Sequence, residues 1–203
     1  VDIFVGDGGS MLDPFSGVGT IPFEGALRGA TSFALEISPS AFRISHAKLS
    51  SPSRAQIDEV LENLEAFLSD YRATDAEIER ASQIKFNKKL DEYFHPDTFN
   101  EVLGARKFMS LNTCSSPALS MVHAALQHIL HGNRPYALSR RSHPLTPYSP
   151  TGPFEYRSLM ERLRTKIERS LEVDRGDEFR EGHIWQMDST DLWPDEINGL
   201  DAV

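Results

Sequence analysis

The sequence predicts an α/β protein whose parallel sheet opens on a β-α-β-α unit and is then interrupted by a large, mainly helical insertion. Three observations predict it. An apolar run, Met11-Leu12, reaches an acid at Asp13 and is followed by Pro14-Phe15 and a tight Gly17-Val18-Gly19 turn. A helix-like segment then runs to Gly29, and seventeen residues after Gly19 a second apolar run, Ser32–Leu35, ends in another acid, Glu36. Far downstream, residues 183–187 read as a third strand that ends in Asp188-Ser189. Strand, glycine turn, helix, strand, acid is the order of parts in a nucleotide-type cofactor site.

Each residue type has a chemical reason. Gly17 and Gly19 let the backbone approach a ligand with no Cβ in the way, and they tolerate positive φ. An acid at the tip of the second strand accepts both hydroxyls of a ribose. Asp13 suits a cationic partner, because a carboxylate at the mouth of the turn repels the pyrophosphate that usually meets a helix start. An ammonium or a sulfonium is attracted instead. S-adenosyl-L-methionine carries both cations and a ribose.

These residues carry a resemblance. Asp13-Pro14-Phe15-Ser16-Gly17-Val18-Gly19-Thr20 resembles the Asp-Pro-Phe-x-Gly-x-Gly-Thr signature of amino-group DNA methyltransferases, the adenine-N6 and cytosine-N4 enzymes. Leu35-Glu36-Ile37-Ser38-Pro39-Ser40-Ala41 resembles the family's next motif, and the two matches cover residues 10 to about 49. The resemblance implies a class I methyltransferase-like (Rossmann-like) sheet with S-adenosyl-L-methionine as cofactor and DNA as partner. It implies that Asp13, Pro14 and the Phe15–Gly19 turn with Ser16 hold the methionine end. Thr20 places its hydroxyl beside the ligand, Glu36 holds the ribose, Ile37 packs on the adenine, and Asp188 with Ser189 meets the adenine amine. The family's catalytic tetrapeptide, a polar residue followed by Pro-Pro and an aromatic, has no counterpart, since the chain contains no Pro-Pro dipeptide. No catalytic residue is therefore assigned. With Leu200–Val203 reading as the start of a fourth strand, the chain is expected to be a fragment that ends before that loop. A degenerate paralogue, a guanine-N2 RNA methyltransferase and a non-catalytic nucleic-acid module with a vestigial cofactor fold are the alternatives. A nicotinamide dehydrogenase is disfavoured, because its third glycine falls where this chain has Pro22.

The remaining elements follow from periodicity and punctuation. Thr20 is a candidate cap for the first helix, Gly29 ends it, and Pro39 opens a second helix, 40–50. Glu24 reads as a solvent-facing acid or, less favoured, as a group that steadies the glycine turn. After Ser51-Pro-Ser53, apolar residues from Ile57 to Tyr71 recur at helical steps. Weaker repeats suggest a helix over 75–90, and Asp97 is placed as the cap of the next. Ser116-Pro117 opens a strong helix that Gly132 closes. Residues 155–171 read as a basic amphipathic helix bearing Arg157, Arg162, Arg164 and Arg169. The organisation expected is a cofactor unit over 1–50, an insertion over 51–180 as target-recognition region, and a return to the sheet over 181–203. Packing or surface roles are expected for His123, His128 and His131, with no metal.

Between 131 and 153, five prolines rule out a continuous helix. Arg134, Arg140, Arg141 and His143 offer phosphate donors there, and Tyr136 and Tyr148 offer flat faces for stacking. This stretch reads either as a DNA-contacting or lid loop, or as a long connection whose arginines pair with acidic helices.

Composition bounds the class. The chain has 203 residues, 39% hydrophobic and 25% charged, which suits a globular protein with one sizeable core. Its formal net charge is −9, yet the charge is segregated. Residues 53–104 carry twelve acids against six bases, and residues 131–169 carry eight bases against three acids, so a basic face is compatible with an acidic total. No apolar run approaches the ~20 residues of a membrane span. The single cysteine, Cys114, excludes an internal disulfide framework, and with no secretory signal visible a cytoplasmic protein is expected.

Overall fold

The computed structural model describes residues 5, 8–85, 87–113, 116–130 and 152–203. Three short strands, β1 (Ser10–Asp13), β2 (Thr31–Glu36) and β3 (His183–Gln186), form a parallel sheet with β2 in the centre. Leu12 lies opposite Phe33, Asp13 opposite Ala34, and Glu36 opposite Gln186. The chain is thus α/β, as expected. β3 ends at Gln186, one residue short of the expected strand. On the other edge of β1, Met11 makes one parallel bridge to Ala202, with Leu12 N–H donating to Ala202 O at 3.0 Å. The fourth strand anticipated at 200–203 exists only as that bridge.

Alternation along β2 explains both faces of the sheet. Phe33 and Leu35 point to one side with Leu12, against Trp185, Met187, Trp193, Ile197 and Leu200. Ala34 points to the other side, with Ala26 and Leu49, against Phe23, Phe179 and Ile184. That second side carries α1 (Thr20–Leu27) and α2 (Pro39–Leu49). Small residues let α1 lie close. A Cβ on Gly25 would stand 2.5 Å from Met11 Sδ and 2.8 Å from Ser32 Oγ. Gly29, at φ +74°, ends α1 as expected, and Ser38 caps α2 with Pro39 in its first turn.

Two compact units emerge. Unit 1 comprises Val1–Asp58, Cys114–Ala124 and Arg169–Val203, and contains the whole sheet. Unit 2 comprises Glu59–Thr113 and Ala125–Glu168. Three of the four borders fall inside helices, namely α3 (Arg54–Asp70), α6 (Pro117–Ile129) and α7 (Leu159–Leu171). The region 51–180, expected as one insertion, is thus shared between the two units.

Unit 2 also contains α4 (Asp75–Ser82), a 3₁₀ turn (Leu90–Tyr93) and α5 (Pro96–Leu111). Its core joins Ala81, Tyr93, Phe94, Phe99 and Leu103. Three expectations need correction. The helix over 75–90 stops at Ser82, after which Lys85 bridges Lys89. The cap of α5 is His95, whose side chain accepts from the Asp97 N–H at 3.2 Å, and Asp97 itself lies in the first turn. The helix expected from Glu155 begins only at Leu159. Glu101 holds the start of α7 by accepting from Tyr156 Oη and from Leu159 N–H, each at 2.7 Å, and Arg157 bonds through its backbone to Thr98 Oγ1. These bonds to α5 occupy backbone groups that another helical turn would need. Among the described residues no helix is long and apolar enough to cross a membrane.

Candidate functional site

The site is built at the carboxyl ends of the parallel strands, where open α/β sheets receive ligands. Asp13 ends β1 and Glu36 ends β2. Asp13 shares a face with Ala34 by register, and Glu36 lies two residues beyond Ala34 on that same face. Asp188 follows β3 two residues after Gln186, the partner of Glu36. Three carboxylates thus follow three adjacent strands at one edge of unit 1.

Each acid is oriented by its own chain. Asp13 Oδ1 accepts the N–H of Phe15 at 3.1 Å, and Glu36 Oε1 accepts the N–H of Ser38 at 2.7 Å. Asp188 Oδ1 accepts from Thr190 N–H at 2.9 Å and from Thr190 Oγ1 at 2.8 Å. These bonds hold the Asp188 carboxyl below the usual carboxylate range, so it is charged at neutral pH. The turn after it is pinned further, since Trp193 Nε1 donates to Ser189 O at 2.8 Å.

Ser16 joins the first two pieces. It is buried, and both its N–H and its Oγ donate to Leu35 O at 3.1 Å. The glycine turn is therefore clasped to the last residues of β2, next to Glu36. The Ser16 hydroxyl is spent on that clasp. Gly19 N–H closes the turn on Ser16 O at 2.8 Å. Gly17 and Gly19 take φ +52° and +71°, in the left-handed region.

The two glycines differ in surroundings. A Cβ on Gly17 would meet nothing within 4 Å, whereas one on Gly19 would overlap the side chain of Ser45 on α2. Gly19 thus serves helix packing, and open space lies at Gly17. Ser45 was invisible as a partner in the sequence; the one signal for it is a small residue at the buried helical step after Phe42. Thr20 does not cap α1. It is the first helical residue, and the cap position is Gly19, which has no side chain to accept a hydrogen bond.

Apolar groups flank the acids. Phe15 is 79% exposed, Ile37 63% and Leu192 96%. Side chains of this size ordinarily seek burial, and here each stands within a few residues of one of the acids in the chain. Pro14 completes the turn. Leu192 escaped sequence reasoning, and the signal available was its place between Asp188 and the anchoring Trp193.

Glu24 is exposed and pairs with Arg28 at 2.8 Å. Among the described residues no group of histidine, cysteine or acid side chains is arranged to hold a metal. Arg134, Tyr136, Arg140, Arg141 and His143 lie outside the described residues, as do His131 and Tyr148. Within α7, Arg164 pairs with Glu65 at 2.7 Å, so part of the basic helix is matched to acidic α3. No model of a known protein family, no curated protein and no solved structure matches this chain.

Proposed function

We propose that this chain binds S-adenosyl-L-methionine and serves methyl transfer to an exocyclic amine of a DNA base, adenine N6 or cytosine N4. The observation that carries the reading is the Ser16 clasp, which sets the glycine turn and Asp13 beside the end of β2 with Glu36, leaving open space at Gly17. The residues present fit that cofactor. Asp13 offers a carboxylate to its ammonium, Glu36 offers acceptors to its ribose hydroxyls, and Ile37 and Phe15 offer apolar surface to its adenine. Asp188, ionised and oriented by Thr190, offers an acceptor to the adenine amine, with Ser189 beside it. Three negative groups around one edge favour a sulfonium ligand electrostatically.

The cofactor, when bound, supplies an electrophilic methyl group. The chain's contribution is to hold that ligand in one orientation, and positioning of two reactants is a large share of rate in such transfers. The target base comes from the resemblance and from segregated charge, with the amine presented by a base turned out of its stack.

Isothermal titration of the chain with S-adenosylhomocysteine tests the reading, with amide NMR shifts as the second readout where affinity is low. Saturable shifts centred on Gly17, Gly19, Glu36, Ile37 and Ser189 are expected. Glu36→Gln should weaken binding about tenfold or more, because hydrogen bonds to a charged group contribute roughly 1.5–3 kcal/mol. A folded chain with no shifts at millimolar ligand, or binding indifferent to both Asp13→Asn and Glu36→Gln, overturns it.

A further inference from the structure

Unit 2 holds a basic pair that the cofactor crevice does not explain. Three arginines, Arg157 just before α7 and Arg162 and Arg164 within it, have different surroundings. Arg164 is neutralised by Glu65 at 2.7 Å. Arg157 reaches Glu155 at 3.0 Å, an exposed pair worth little in water. Arg162 is half-buried, and among the described residues its guanidinium has neither an ion pair nor a hydrogen-bond acceptor. Its charged neighbour is another cation, Arg157, and burial together with that repulsion lowers its pKa. A guanidinium has five N–H donors in a rigid fork, and leaving it partly desolvated beside a like charge costs stability. An arrangement of this kind is relieved by an anion that accepts from both forks, and phosphate is the anion whose geometry matches them.

A flat face stands beside the pair in the chain. Tyr156 is 52% exposed although its hydroxyl donates to Glu101 at 2.7 Å and its ring packs edge-on to His95 at 5.8 Å between centroids. The ring is therefore held in place while still presented to solvent. Phe154, two residues earlier, is 41% exposed. Aromatic faces interleaved with arginine are how single strands are held, because every unpaired base has a π face while a duplex hides it. The nearby acids do not cancel the pair. Glu101 is already engaged by two donors, Glu155 is an exposed partner that phosphate can displace, and Asp97, which acts on Tyr156, lies 3.7 Å from His95 Nδ1.

We propose that Arg157 and Arg162 seat a backbone phosphate of a single-stranded nucleic acid, with Tyr156 as the stacking face for the adjoining base. This seat lies on unit 2 and needs no cofactor. It shares with the function proposed above only the nucleic-acid partner.

Anisotropy titration of the full chain with a labelled single-stranded oligonucleotide, and with a duplex of the same length, tests it. The single strand should bind more tightly. Arg162→Gln should weaken it several-fold and reduce the slope of log affinity against log salt by about 0.7, the value for one phosphate contact on a single strand. Arg157→Gln, at an exposed position, should act in the same direction, and Tyr156→Leu should weaken binding with the salt slope unchanged. Arg164→Gln, which breaks an existing ion pair, should leave affinity as it is. No binding by the wild-type chain, equal loss in Arg164→Gln, or tighter binding of the duplex overturns the proposal. Oligonucleotide binding that persists while S-adenosylhomocysteine fails to bind sinks the methyltransferase reading and leaves this one standing.

Discussion

At Gly19 a single methyl group separates a tolerated backbone from a steric clash. Gly17 and Gly19 both sit at positive φ, where an L side chain costs about 1–2 kcal/mol. Only at Gly19 does the added carbon also run into Ser45, including its Cβ at 2.8 Å, so that no rotamer change relieves it. Gly19→Ala should therefore destabilise the chain by clearly more than Gly17→Ala, the excess being about 1–3 kcal/mol as for overpacking generally. Urea denaturation of the two variants measures the difference. Gly17→Ala should instead register in the S-adenosylhomocysteine titration, since its new methyl group enters open space at the proposed crevice. A pair of variants equal in both assays contradicts this division of roles.

Among the elements, α2 and the first half of α6 are joined in unit 1 by a polar tie. Ser120 Oγ accepts from Arg43 Nη1 at 3.3 Å and lies 2.9 Å from His46 Nδ1. His46 and His123 are both held below the ordinary imidazole range, first by burial and then by the Arg43 guanidinium, while Glu181 opposes the shift at His46. The native state thus prefers neutral imidazoles, and the unfolded chain takes up protons near pH ~6.5. Stability from these groups is fully present above about pH 6.5 and is lost as pH falls through the lower native values. The urea midpoint should be flat from about pH 8 to 7 and decline between about pH 6.5 and 5, before most carboxylates protonate. The double change His46→Gln, His123→Gln should flatten that interval. A wild-type midpoint that rises on acidification contradicts the assignment.

At the scale of the whole molecule, the sheet unit is assembled from three separate stretches of chain, and Arg175 ties the last to the first. Its Nη1 donates to Lys48 O at 3.2 Å and to Ser50 O at 2.7 Å, at the end of α2. Its guanidinium lies over Phe179 at 4.8 Å and Phe23 at 5.8 Å. A lysine keeps the charge and loses both the fork and the flat stack. Arg175→Lys should cost about 2 kcal/mol, within the range for hydrogen bonds to charged groups. Chemical denaturation reads that loss, and a change within error of wild type argues that the tie is dispensable. The assignment of phosphate contacts to unit 2 and of the carboxylate edge to unit 1 gives a further expectation. Arg162→Gln should leave S-adenosylhomocysteine binding unchanged, and Glu36→Gln should leave oligonucleotide binding unchanged.

The sequence by itself determined what is local. Asp13, the two glycines at positive φ, Pro39 at the start of α2 and Glu36 at the end of β2 were all legible, because strand tips and turns are encoded within a few residues. Only the tertiary structure decided where bonds between distant segments replace local ones. Glu101 on α5 captures Tyr156 and Leu159, so α7 starts four residues later than its own pattern suggests. Ser45 on α2 fills the space beside Gly19, so that glycine serves packing while Gly17 borders open space. Ser16 gives its hydroxyl to Leu35 across nineteen residues, and the pairing of Arg164 with Glu65 singles out Arg162. Periodicity reports which face of a helix is apolar, and it carries no information on which remote donor will meet which remote acceptor.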